Sequence, residues 1–218
     1  MAKIKVGIAG CLGRMGQELT KQILEDKNFI FVGGFEYKAH QKIGKKISDV
    51  TNIQSGEVVT NNASSIFKKA DVVIDFTTPQ STLSNVKIAS TTKTALVIGT
   101  TGITKVQKNK IKTFSKKIPI LLSSNMSIGV NLLFNLVKQA ASSLGDNEYD
   151  IEIAETHHKH KIDAPSGTAL SLGEFAAAGR KTILDKVKVL DRTKNLNKRK
   201  NGDIGFSITR GGEIAGEH

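Results

Sequence analysis

Short apolar runs and helix-spaced apolar stripes alternate along the first 126 residues of this chain. Residues 3–9 form a run rich in β-branched side chains, the pattern of a buried strand. Behind it Met15, Leu19 and Ile23 recur four apart, the apolar stripe of a helix. The same reading predicts strands at 29–35, 71–76, 95–98 and 118–122. It predicts helices around 62–69, after Thr77-Thr78-Pro79, and over 104–115. Residues 37–60 are polar, with lysines among small residues, and read as loop plus a weak strand. Strands that alternate with helices imply a parallel sheet, with ligands at the carboxyl ends of its strands. Three such ends, at 76–79, 99–102 and 123–126, are rich in hydroxyl, amide or glycine residues.

The rhythm changes near residue 127. Ile128, Leu132, Leu136 and Ala140 sit four apart, with Leu133, Val137 and Leu144 beside them. That predicts a long helix over 128–144, stopped at Gly145. A strand over 149–156 sets Ile151 and Ile153 against Glu152, Ala154 and Glu155. A helix at 167–178 and strands near 187–191 and 203–210 follow. The expected domains are therefore 1–126 and 127–218, with no internal repeat.

Gly10, Gly13 and Gly16 follow the first strand at a spacing of three and open the first helix. Strand, glycine turn and helix form the context that a dinucleotide-binding motif requires. Gly10 permits the tight turn, Gly13 lets the backbone approach a pyrophosphate, and Gly16 lets the helix lie close on the sheet. The general fingerprint has glycine where this chain has Leu12, and a plain βα turn uses the same parts. Glu36, ending the second strand, stands where an acid holds a ribose hydroxyl. Tyr37 and Lys38 follow it, and Lys38 would instead meet a 2′-phosphate, so NADH and NADPH are both open.

The densest chemistry lies at 155–168, where three histidines and two lysines occupy positions 157–161. Asp163 follows, and Pro165-Ser166-Gly167-Thr168 leads into a helix-periodic run. Proton-transfer groups thus precede a helix N-terminus, whose free N–H groups favour an anion. The pattern fits a site that protonates a substrate while holding its carboxylates. A solvated basic loop before a capped helix is the plain alternative.

The formal charge of +12 points toward anions: nucleic acid, a phosphorylated cofactor or a polycarboxylate. With no tryptophan and only two tyrosines, a nucleic-acid platform lacks its stacking partners, and no nucleic-acid partner is expected. No apolar run approaches the ~20 residues of a membrane span, so no membrane partner is expected either. The first residues run straight into a strand rather than a signal sequence. Cys11, the single cysteine, excludes an intrachain disulfide framework and fits a cytoplasmic location.

With both motifs in view, the chain resembles the 4-hydroxy-tetrahydrodipicolinate reductase (dihydrodipicolinate reductase) family of bacterial lysine and diaminopimelate synthesis. The segment from Val6 to Gly16 is similar to that family's cofactor motif, which tolerates Leu12. The stretch from Glu155 through His157, His158, Lys161 and Asp163 to Thr168 is similar to its most specific motif. Asp75-Phe76-Thr77, Gly99-Thr100-Thr101-Gly102 and the segment from Asn125 to Asn131 also look like family segments, in the expected order.

The resemblance implies an α/β chain: a Rossmann-like doubly wound parallel sheet, then a C-terminal α+β domain with a mixed sheet that builds a homotetramer. It implies an NAD(P)H-dependent oxidoreductase acting on a small dicarboxylate. His157 would be the proton donor and acceptor, and Lys161 a proton donor. His158, Ser166, Gly167 and Thr168 would hold carboxylates, with Thr101 nearby. Cofactor contacts would come from Gly10, Cys11, Leu12, Gly13, Arg14, Met15, Glu36, Tyr37, Gly99, Thr100 and Thr101. The loop Ser123, Ser124, Asn125 and Met126 would complete them. The family usually continues past the Gly-Glu-His that closes this sequence, so a shortened, catalytically silent cofactor-binding module is the alternative reading. A metal held by His157, His158 and His160 is a further alternative. Adjacent histidines face one ion only where the backbone turns, and no second cluster has zinc spacing, so no metal is expected.

Overall fold

A computed structural model describes residues 2–193 and 198–218. The chain divides into two compact units, Met1–Ser123 and Ser124–His218. Among the described residues no helix is long and apolar enough to cross a membrane.

The first unit is built on five parallel strands: β1 Ile4–Ala9, β2 Phe29–Phe35, β3 Val72–Asp75, β4 Ala95–Ile98 and β5 Ile120–Leu122. Their order is β2-β1-β3-β4-β5, so the winding reverses between β1 and β3, the switch point at which such sheets bind ligands. From Val6 to Ala9 both faces of β1 are covered, which is why that part of the strand is an unbroken apolar run. Val6 and Ile8 pack with Ile23, Phe31, Ile47 and Val59. Ala9 joins Phe67, Val73, Val86, Leu96 and Ile98. Full burial of a side chain such as Ile8 or Leu96 stabilises by roughly 1.5–3 kcal/mol.

Helices α1 Arg14–Glu25, α3 Ala63–Lys69, α4 Pro79–Thr92 and α5 Lys105–Phe114 link the strands. The buried stripe of α1 is Gly16, Thr20 and Ile23, with Met15 turned outward. That is one position round from the expected Met15–Leu19–Ile23 stripe, because the helix presses its glycine onto the turn. The polar stretch 37–60 holds a one-turn helix, α2 Ile47–Val50, and the bridge Lys46–Val58. Ile47 and Val59 anchor it in the core.

The second unit comprises α6 Ile128–Ser143, β6 Ile151–His157, α7 Gly167–Gly179, α8 Leu184–Val187, β7 Lys188–Val189 and β8 Ile204–Arg210. Its sheet runs β6-β8-β7 with parallel neighbours, and the antiparallel component among the described residues is the isolated bridge Thr156–Glu217. Phe134 and Ala141 of α6 pack with Ala169, Leu172 and Ala176 of α7 and with Ile153, Ile204 and Phe206 of the sheet. The neighbouring stripe Ile128, Leu132, Leu136 is exposed. Helix α6 ends in extended Leu144 rather than in a left-handed glycine at 145.

Candidate active site

At the carboxyl end of β1 the chain turns at Gly10, whose φ of +68° is open to glycine and strained for other residues. The Gly10 N–H donates to Phe35 O at 2.8 Å, and Gly10 O accepts from the Gly13 N–H at 3.1 Å. The Leu12 N–H donates to Glu36 Oε1 at 2.9 Å, which fixes the acid of β2 against the turn. Helix α1 starts at Gly13, which has no side chain to cap it. The first amides, of Arg14 and Met15, therefore have no intrahelical partner. An uncapped helix mouth favours an anion.

Gly10, Gly13, Glu36, Tyr37, Thr77 and Ser81 share the lining of a cleft of about 780 Å³. This donor set fits a dinucleotide: a pyrophosphate on uncapped amides, and a ribose on Glu36. Cys11 faces the core at 1% exposure. Burial first, and the Glu36 charge second, push its thiol up to about 12. Only its backbone is left for a ligand.

The adjacent strand end is a closed polar network. Buried Asp75 accepts from the Thr77 N–H at 3.0 Å, from Thr77 Oγ1 at 2.6 Å and from Asn85 Nδ2 at 2.9 Å. Thr100 Oγ1 lies 2.9 Å from Thr82 Oγ1 and 3.1 Å from the Thr77 nitrogen. Its hydroxyl thus ties strand ends together. Gly99 lies against the Phe76 ring, while Thr101 is exposed.

In the second unit, Ile153, Glu155 and His157 share the buried face of β6. This corrects the expectation that grouped Glu155 with outward Glu152 and Ala154, since side chains alternate strictly along a strand. Glu155 Oε1 accepts from Arg210 Nη2 and from the Ser166 N–H, both at 2.9 Å. Oε2 lies 2.5 Å from His157 Nδ1, and among the described residues neither atom has a hydrogen bond elsewhere. Burial pushes the Glu155 carboxyl up, but the Arg210 guanidinium and the Ser166 N–H outweigh it and hold the group below the usual carboxylate range.

The His218 ring meets His157 edge-on at 5.1 Å, and its Nε2 lies 2.8 Å from Ser166 Oγ. Lys161 Nζ pairs with Asp163 Oδ1 at 2.7 Å, both partly exposed. His158 is half-buried, and His160 points outward beside Glu213. Glu155, His157 and His218 offer ligand atoms within 4.8 Å of one another, a different trio from the one considered on sequence. Arg210 already pairs with Glu155, and its positive charge would oppose a dication held by this trio.

Ser166 caps α7, its Oγ accepting from the Ala169 N–H at 3.1 Å, which leaves the amides of Gly167 and Thr168 outside the helical ladder. The loop after β5 runs beside this mouth. Ser124 Oγ lies 2.8 Å from Ser171 Oγ, and Asn125 Nδ2 donates to Thr168 Oγ1 at 3.2 Å. Met126 is exposed, and Ser123 belongs to the first unit, its N–H donating to Ile98 O at 3.1 Å. The structure thus gathers Ser124, Asn125, Ser166, Gly167 and Thr168 at one helix mouth. It gathers Gly10, Leu12, Gly13 and Glu36 at another. Arg210, His218 and Asp163 went unassigned on sequence. A charged residue in the apolar phase of β6 was the signal that a buried counter-charge must exist.

Residues 4–126 match the family model described as dihydrodipicolinate reductase, N-terminus, and residues 129–218 match that of its C-terminus. A 4-hydroxy-tetrahydrodipicolinate reductase of Parvibaculum lavamentivorans is 42% identical over 219 residues, covering 100% of this chain and 80% of that protein. One from a Sulfurovum species is 45% identical over 214 residues, covering 98% and 80%. The solved dipicolinate-bound dihydrodipicolinate reductase of Paenisporosarcina sp. TG-14 aligns with a TM-score of 0.66 at 26% identity, over 98% of this chain and 81% of that one. With both halves matched in order, the chain belongs to the dihydrodipicolinate reductase family.

Proposed function

We propose that this chain reduces 4-hydroxy-tetrahydrodipicolinate to tetrahydrodipicolinate at the expense of a reduced nicotinamide cofactor, a step of lysine and diaminopimelate biosynthesis. The observation that carries the proposal is the hydrogen bond from Asn125 to Thr168. It joins the loop assigned to the nicotinamide to the helix mouth assigned to the substrate's carboxylates. Exchange of the 4-hydroxyl for hydrogen takes in one hydride and one proton and releases one water. The amides of Arg14 and Met15 would hold the pyrophosphate of a reduced nicotinamide cofactor, which would supply the hydride.

The protein supplies position and charge. Amides of Gly167 and Thr168 hold one carboxylate at the positive end of α7. The Lys161 ammonium, drawn from Asp163, and His158 meet the other. His157 gives the proton, since an imidazole exchanges protons readily near neutral pH. Glu36 binds an unmodified ribose and Lys38 stands two residues on for a 2′-phosphate, so the proposal includes both NADH and NADPH. It also includes a homotetramer built on the second sheet. Glu152, Ala154, Ser207 and Thr209 leave the other face of that sheet exposed.

The test is a pair of variants. His157→Gln and Lys161→Ala each lose most turnover while cofactor affinity, read by fluorescence titration, stays near that of the parent. Equal loss of cofactor affinity in both would make these residues structural and end the proposal.

A further inference from the structure

We infer that Glu155, locked by Arg210, is the positioning residue for His157 and fixes Nε2 as the ring atom that exchanges the proton. The inference rests on the reading of His157 as the proton donor. A carboxylate with none of its side-chain surface in solvent is costly to keep charged unless it is paired. Packing alone would be served by an apolar residue in phase with Ile151 and Ile153. Here the carboxylate is charged, and its two oxygens have separate tasks. Oε1 is taken up by Arg210 and the Ser166 N–H. Oε2 is left to His157 Nδ1 at 2.5 Å.

Arg210 cannot swing away cheaply, because the same Nη2 also donates to Asp163 O at 2.7 Å. The sheet enforces the meeting: β6 and β8 pair in a register that sets His157 beside Arg210. An imidazole whose Nδ1 faces a carboxylate carries its hydrogen there, as in hydrolase triads and metal-bound histidines. The opposite nitrogen is then the one that changes state. Around Nε2 the chain provides Gly216, where an added Cβ would lie 2.8 Å from that atom, so only glycine leaves the nitrogen uncrowded.

In the step, the Nε2–H bond breaks and its electron pair stays on the ring. The proton passes to the substrate, and the imidazole is left neutral with Nδ1–H still on Glu155. Solvent then restores the proton. Among the described residues, Glu155 on β6 and His218 meet His157 directly, Arg210 on β8 pairs with Glu155, and Lys161 and Arg210 act on His218.

The experiment compares Glu155→Gln, the double variant Glu155→Gln/Arg210→Met and His157→Gln by kcat, KM, pH profile and melting temperature. For Glu155→Gln we expect kcat to fall about 10- to 100-fold. Substrate KM and cofactor affinity should hold, and the basic limb of the profile should move to lower pH, because a nearby negative charge favours the protonated ring. The glutamine also leaves Arg210 without its counter-charge, so the single variant should fold but melt earlier than the parent. The double variant removes that charge, and we expect it to recover melting temperature but not kcat. Recovery of kcat along with stability, or a parental kcat and pH profile in Glu155→Gln while His157→Gln is inactive, overturns the inference alone. Full turnover in His157→Gln overturns the reading beneath it.

Discussion

Glu155 keeps its charge in the interior because Arg210, the Ser166 N–H and the His157 ring all reach it. Its folded-state pKa lies below the ordinary value of 4.5, so its contribution to stability is complete above that value. The contribution is lost as pH falls through the lower, folded-state value. Melting temperatures taken on the acid side should therefore fall steeply in the parent and more gently in Glu155→Gln. Arg210→Met is the harsher change, because it strands the carboxylate. Loss of one partner of a buried pair costs roughly 3–5 kcal/mol, and denaturant melts should register a deficit of that order. Cys11 makes the opposite case. Buried and with its thiol pushed up to about 12, it should resist a thiol reagent in the folded protein and react fully in denaturant. Fast reaction without denaturant would mean that the glycine turn opens.

At the scale of elements, the packing of α1 on the end of β1 depends on Gly16. A Cβ there would lie 2.1 Å from Gly10 O and 2.8 Å from Cys11 Cα, both backbone atoms that cannot step aside. Gly16→Ala should lift the helix mouth from the turn and destabilise by at least about 1–3 kcal/mol, the usual cost of overpacking. Cofactor affinity should drop with it, which a fluorescence titration beside a melting curve checks. Strands β2 and β4 were legible because each is a short, largely apolar run that starts after a polar residue and stops at a polar residue or glycine. The one-turn helices α2 and α8 were not, since four residues carry no period. The turn at Gly10 and the helix mouths at Gly13 and Ser166 could be placed from local sequence, because glycine and serine have specific uses there. The partners of His157 could not. Arg210 stands 55 positions from Glu155, and only the β6–β8 register brings the two together.

Across the whole molecule, the proposal gives each unit its own part of the chemistry: a pyrophosphate cradle with a ribose acid in one, and a proton donor beside a second anion cradle in the other. The net charge of +12 favours the approach of both polyanionic ligands, so kcat/KM should fall as salt is added, beyond any change in kcat. Sedimentation of the purified protein reads the proposed homotetramer directly, and a monomer at working concentration would remove that part of the proposal. The central claim is hydride transfer to a dicarboxylate ring in partnership with His157. The most direct measurement uses cofactor carrying deuterium at the transferred position, with the product read by mass spectrometry. We predict one deuterium in each product molecule, matched by cofactor oxidised, and both at a small fraction of the parent's rate in His157→Gln. Unlabelled product, or cofactor that stays reduced in the presence of 4-hydroxy-tetrahydrodipicolinate, would contradict the account.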